Sequence, residues 1–172
     1  MTVVVPYDPA WPGMFEAERE RLEEALRAWL EGGIHHIGST AVPGLTAKPI
    51  IDMLAGVRNL DEAREAFPAL EALGYSHAPH RPEAHRFGRP GYHLHLTEPG
   101  SDLWRERLAF RDALRNEPEL RHEYANWKVE HASVTGADAY TASKWPLVAR
   151  VLAEAGIELK PDEKRLAPGA RR

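Results

Sequence analysis

The 172-residue sequence contains no cysteine. Disulfides, cysteine-ligated zinc, iron–sulfur clusters and a thiol nucleophile are all excluded. Positive charge is not in surplus either: 22 Lys and Arg against 26 Asp and Glu leave a net charge of −4. A whole-chain electrostatic footprint for nucleic acid is therefore missing. No apolar run approaches the roughly 20 residues of a membrane-spanning helix. The N-terminal MTVVVPYDPAW has neither the basic nor the apolar region of a signal peptide. A cytoplasmic location and no membrane partner are expected. What remains is ordinary for a folded protein, with 43% hydrophobic and 28% charged residues. The length bounds the chain to one domain able to bury a core without covalent staples.

Periodicity divides the chain into two textures. Val3–Val5 reads as a short strand or extended arm stopped by Pro6. From Met14 to Glu31, Phe15, Leu22, Ala25, Leu26, Trp29 and Leu30 recur at helical spacing, and Gly32-Gly33 ends that helix. Ile34–Ile37 reads as a strand, residues 39–49 as a loop of small residues, and the very apolar Ile50–Val57 as a central strand. A helix capped by Asn59 or Asp61 runs to about Leu73, with a kink expected at Pro68. Tyr75–His80 is a candidate strand, Pro79–Pro90 a polar loop, and Tyr92–Thr97 an alternating strand. After Gly100-Ser101 three helices follow: one carrying Leu103 to Leu114, one over Glu119–His131 and one over Ala137–Ala155. Strands gathered in one part and helices in another indicate an α+β domain over residues 1–156. The charged tail 157–172 is expected to be disordered.

The sharpest chemical feature is Gly38-Ser39 at a strand end, followed by Asp52 within the next strand. A Gly-Ser pair there offers backbone N–H groups and a hydroxyl to a phosphate. A carboxylate in an apolar strand costs several kcal/mol unless it is paired or metal-bound. His93 and His95 are two apart on a strand, so both project from one face while Leu94 and Leu96 project from the other. With His36 and Asp52 they form a candidate metal set, since imidazole suits zinc or manganese better than magnesium. Lys48, Arg86, Arg111, Lys128 and Lys144 are candidates for a phosphate-binding wall if the helical half folds over the sheet.

The run from His36 to Asp52, HIGSTAVPGLTAKPIID, resembles the signature of the GrpB-like family. So do Val5–Pro12, His93–Leu96, Leu108–Asp112 and Tyr140 with Lys144, which carry the likeness to about residue 155. The resemblance implies a fold like the minimal nucleotidyltransferases, a mixed sheet with flanking helices and a C-terminal helical half. It also implies kinship with a domain fused to some bacterial dephospho-coenzyme A kinases. Enzymes of that fold place two alternating carboxylates on the strand after Gly-Ser and a third on a later strand. Here the first of these positions falls on Ile50, the second on Asp52, and the third strand carries His93 and His95.

These readings combine into one expectation: a small phosphate-bearing ligand or nucleotide, bound by Gly38, Ser39, Lys48, Arg111 and Lys144, with Asp52 as the catalytic or metal-holding carboxylate. A divalent metal (zinc, manganese or magnesium) is expected on His36, Asp52, His93 and His95. Phosphoryl or nucleotidyl transfer would run on an incomplete carboxylate set. The alternatives are a transition-metal module or metal-dependent hydrolase, and a non-catalytic partner domain.

Overall fold

The computed structural model describes residues 3–131 and 137–158. Ile51–Val57, buried along nearly its whole length, forms β2 inside a five-stranded sheet ordered β1-β2-β5-β4-β3. The other strands are β1 (Leu30–Ile37), β3 (Ser76–Ala78), β4 (Ala84–Arg89) and β5 (Tyr92–Thr97). β2 and β5 pair in parallel and every other pair is antiparallel, so the sheet is mixed.

Register partners share a face, and this sorts the side chains. Met53, Ala55 and Val57 line up with Leu94 and Leu96 of β5, with Phe87 of β4, and with Ile34 and His36 of β1. That face packs against α1 (Trp11–Leu26) through Trp11, Phe15, Leu22 and Leu26, and against Leu70 of α2 (Phe67–Ala72). The opposite face carries Ile37, Asp52, Leu54, Ala84, Arg86, His93 and His95. It is covered only in part, where Leu103 of α3 (Asp102–Asn116) packs on Ile37, Leu54 and Ala84.

The helical half has a core of its own. Phe110 and Leu114 of α3, Leu120 and Tyr124 of α4 (Pro118–Glu130), and Val148, Val151 and Leu152 of α5 (Ala137–Glu154) pack together. Val42 and Leu45, from the loop after Ser39, are buried in the same cluster. The small-residue loop is thus pinned by two apolar side chains to the C-terminal helices. Ser101 caps α3, its hydroxyl accepting from the Trp104 N–H at 3.2 Å. No helix among the described residues is long and apolar enough to cross a membrane.

Several boundaries differ from the sequence reading. β4 occupies the middle of the expected polar loop Pro79–Pro90. Its His, Arg and Gly residues disguise a strand that buries Ala84, His85 and Phe87. α1 stops at Leu26, and Leu30 already belongs to β1, whose register shifts across Gly32 and Gly33. Pro68 does not kink a long helix; it lies in the first turn of α2, where its missing N–H costs nothing. In the N-terminal arm Val5 makes an isolated bridge with Ala47. Ile157 and Glu158 are docked, the latter's carbonyl accepting from Arg105 at 2.7 Å. The rest of the expected tail, 159–172, lies outside the described residues.

One polar network ties α1 to the sheet. Glu18 is 3% exposed. Its carboxylate accepts from the Tyr75 hydroxyl at 2.7 Å and from Arg89 at 2.6 Å, and Arg21 approaches at 3.1 Å. Arg89 also lies over the Tyr92 ring at 4.2 Å. Removing one partner of such a buried pair leaves an uncompensated charge, at a cost of about 3–5 kcal/mol. Glu18→Ala is therefore expected to lower the unfolding free energy by that amount in urea denaturation. A loss below about 1 kcal/mol would mean that the network contributes little.

Candidate active site on the open sheet face

The turn that leaves β1 is shaped by one glycine. Gly38 has φ +72°, and a Cβ built there would stand 2.8 Å from Asp52 Oδ2. Both its backbone conformation and its closeness to the carboxylate therefore demand glycine. Ser39–Ala41 then forms a single 3₁₀ turn. The Thr40 hydroxyl donates to the Ile50 carbonyl at 3.0 Å and so accepts from His36 Nε2 at 2.9 Å. These bonds fix the start of the loop to the segment that enters β2.

Beside Ser39 the helical half delivers a cluster of lysines and tyrosines. Lys128 Nζ, on a residue 6% exposed, donates to Ser39 Oγ at 2.5 Å and to the Thr46 carbonyl at 2.8 Å. It lies over the Tyr124 ring at 4.7 Å. Lys144 lies over Phe110 at 4.6 Å and over Tyr124 at 4.9 Å, and Lys48 over Tyr140 at 5.2 Å. None of the three lysines has a carboxylate within ion-pair distance among the described residues. Burial pushes the Lys128 ammonium down to about 8, with the charges of Lys144 and Lys48 acting the same way and Tyr124 and Asp52 opposing. Burial would raise the Tyr124 phenol, but Lys144 and Lys128 outweigh it and hold it below its ordinary value.

On the sheet side of the same turn, Asp52 and His93 are register partners on β2 and β5. Asp52 Oδ1 accepts from His93 Nδ1 at 3.0 Å, and both side chains are 30% exposed. With its proton on Nδ1, the imidazole presents Nε2 as an acceptor, and Arg86 Nη2 stands 3.5 Å from it.

Comparison with known proteins gives this arrangement a family. The sequence profile described as "GrpB protein" matches residues 2–154. The chain belongs to the GrpB family. It is 41% identical over 167 residues to a UPF0157 protein of Pseudomonas aeruginosa, covering 88% of this chain and 66% of that protein. It thus spans slightly less than two thirds of that relative's length. A stretch of 85 residues, 45% of the chain, is 39% identical to 19% of the dephospho-CoA kinase of Mycobacterium tuberculosis. The crystal structure of the conserved protein GrpB from Enterococcus faecalis superposes with a TM-score of 0.78 at 26% identity, over 90% of this chain and 99% of that one. A cytoplasmic RNA terminal U-transferase superposes with a TM-score of 0.54 at 11% identity, over 74% of this chain and 41% of that one. The GrpB fold of this chain is therefore nucleotidyltransferase-like.

Within this GrpB fold the expected residues separate into groups. Gly38, Ser39, Lys48, Lys144, Asp52 and His93 surround one turn and its flanking strand. His36 does not join them, because its register partner is Met53 and its ring stacks on Phe15 of α1 at 4.8 Å on the opposite face. His95 shares the Asp52 face but is 5% exposed, packs against His80 at 5.0 Å, and leaves Nδ1 without a hydrogen-bond partner. No three His, Asp or Glu side chains among the described residues gather into a metal shell, so the four-residue metal set does not assemble. Arg111 also stands apart, donating to the His36 carbonyl at 3.2 Å and pairing with Asp112 at 2.8 Å. Tyr124 is the residue that the sequence reading passed over, and Lys128 the one that it named without placing in the site. Leu120, Tyr124 and Lys128 recur every four residues along α4, so a lysine continuing a buried stripe was the available signal.

Burial lowers His36 to about 4, Arg115 adding to the effect and Asp52 opposing it. The unfolded imidazole titrates near 6.5, so stability present above that value drains away as pH falls toward 4. The His36 contribution is about 3 kcal/mol at most. His36→Gln, which keeps a donor for Thr40 but does not titrate, is expected to flatten the fall in stability between pH 7 and 4.5. Urea denaturation across that range checks this, and an unchanged slope would contradict it.

Proposed function

We propose that the domain binds the phosphates of a small ligand of the nucleotide class beside Ser39. The observation that carries this reading is a buried lysine, Lys128, on the Ser39 hydroxyl, with the charges of Lys144 and Lys48 near enough to act on it and no carboxylate within ion-pair distance among the described residues. A buried, unpaired ammonium is costly, and a polyphosphate is the complement that offsets it. The glycine of the turn after β1 lets the Asp52 carboxylate stand close beside Ser39. The nucleotidyltransferase-like fold supports the nucleotide class, and the partial likeness to dephospho-CoA kinases is compatible with it.

A divalent cation belongs to this reading as a companion of the phosphates. Asp52 has one oxygen on His93 and the other beside Gly38, facing the same turn as Ser39. One carboxylate and phosphate oxygens suit magnesium or manganese, and the donor set fits one cation rather than two. Ile50 stands where a further carboxylate would be needed and supplies none. Any transfer or hydrolysis would then rest on positioning by the lysines and on His93, held by Asp52 with Nε2 ready to accept a proton.

The test is calorimetric. ADP with Mn²⁺ is expected to bind one-to-one, with affinity lost in Ser39→Ala/Lys128→Ala. Binding should weaken as pH rises through about 8, where Lys128 loses its charge. Lys128→Arg, charged throughout, should bind equally at pH 7 and 9. Equal binding by the double variant, or tighter binding at pH 9, would contradict the site.

A further inference from the structure

A second concentration of positive charge lies behind the Ser39 turn. A cavity of about 790 Å³ opens there, with Thr40 and Ala41 in its wall but neither Ser39 nor any of the three lysines. Arg111 and Arg115 of α3 and Arg121 of α4 reach into it. Arg19 also lines it, but Glu16 and Glu23 neutralise that guanidinium. Arg111 has Asp112. Arg115 and Arg121 have no carboxylate within ion-pair distance among the described residues.

Their donors are only partly used. Arg115 spends Nε on the Ala41 carbonyl at 2.8 Å. Arg121 spends Nη1 on the carbonyls of Leu114 and Arg115, at 3.1 and 3.2 Å. Both terminal nitrogens of Arg115, and Nε and Nη2 of Arg121, have no hydrogen-bond partner among the described residues, and Arg115 is exposed and Arg121 half-buried. Burial and the neighbouring Arg111 charge lower the Arg115 guanidinium. Tyr7, Pro12, Phe15 and Pro43 also line the cavity and supply apolar and aromatic surface, and Glu16 and Glu23 line it paired with Arg19. Forked donors from two helices match the several oxygens of a phosphate, and the aromatic lining matches a ring.

We propose that this cavity is a second anion site, separate from the Ser39 site, which takes a phosphomonoester with an aromatic body. Arg115 and Arg121 bind the phosphate, and the Phe15 side of the cavity covers the ring. This assignment does not depend on what the lysine cluster binds.

Phenyl phosphate and inorganic phosphate are the probes, titrated while the arginine Nε–H resonances are followed by NMR. Phenyl phosphate is expected to shift the Arg115 and Arg121 signals saturably and to bind more tightly than inorganic phosphate. Arg121→Ala, which removes no bond to the Ser39 turn, should weaken phenyl phosphate at least about tenfold, the size of a lost charge-assisted contact. Lys128→Ala should leave the titration within about twofold, which separates this site from the lysine cluster. Non-saturating shifts, unchanged affinity in Arg121→Ala, or loss in Lys128→Ala instead would each overturn the proposal. Equal affinity for the two probes would overturn the role of the aromatic wall.

Discussion

Lys128 carries its charge into a position 6% exposed and meets only oxygens of the loop after β1: the Ser39 hydroxyl and the Thr46 carbonyl. Those two bonds bind the helical half to the loop beside the sheet. Val42 and Leu45 do the same through apolar contacts with the helices. Helix, loop and strand are thereby tied together, with Asp52 beside Gly38 at the start of the loop and close enough for its charge to act on Lys128. A lysine tolerates this burial only when hydrogen bonds satisfy its ammonium. Its lowered pKa is the trace of that compromise.

The sheet decides which groups can cooperate. With a side-chain period of two, the pairing of His36 with Met53 sends that imidazole into the core with Phe15. The pairing of Asp52 with His93 brings those two together on the open face. A carboxylate–imidazole pair therefore stands on the open face, and no third His, Asp or Glu among the described residues joins it in a metal shell. Arg111 and Arg115 meanwhile hold the carbonyls of His36 and Ala41, which flank Gly38-Ser39. The turn is gripped from both sides, by lysine at its hydroxyl and by arginine at its backbone.

Much of this was legible in the sequence. Alternation in Tyr92–Thr97 gave the facing of His93 and His95 correctly, and the signature from His36 to Asp52 gave the family and the fold. Pairing partners were not legible, because which residue of β1 stands beside Asp52 is set by the register between strands that are separated by the 13-residue connection 38–50. That is why His36 was misplaced. β4 was hidden for a different reason: His85, Arg86, Gly88 and Arg89 look like loop residues, yet the strand lies between β5 and β3, with Phe87 fully buried. Lys128 could be named among the basic candidates but not placed in the site, because its anchors, Ser39 and Thr46, are more than 80 positions away in sequence.

The central claim is that Ser39, the lysines and Asp52 form one phosphate site with one cation. A crystal structure of the protein with Mn²⁺ and a non-hydrolysable nucleoside triphosphate analogue tests it most directly. The account predicts phosphate oxygens within hydrogen-bond distance of Ser39, Lys128 and Lys144, and a single anomalous manganese peak bridging them to Asp52. Phosphates bound away from Ser39, or manganese held by His36 or His95, would contradict it.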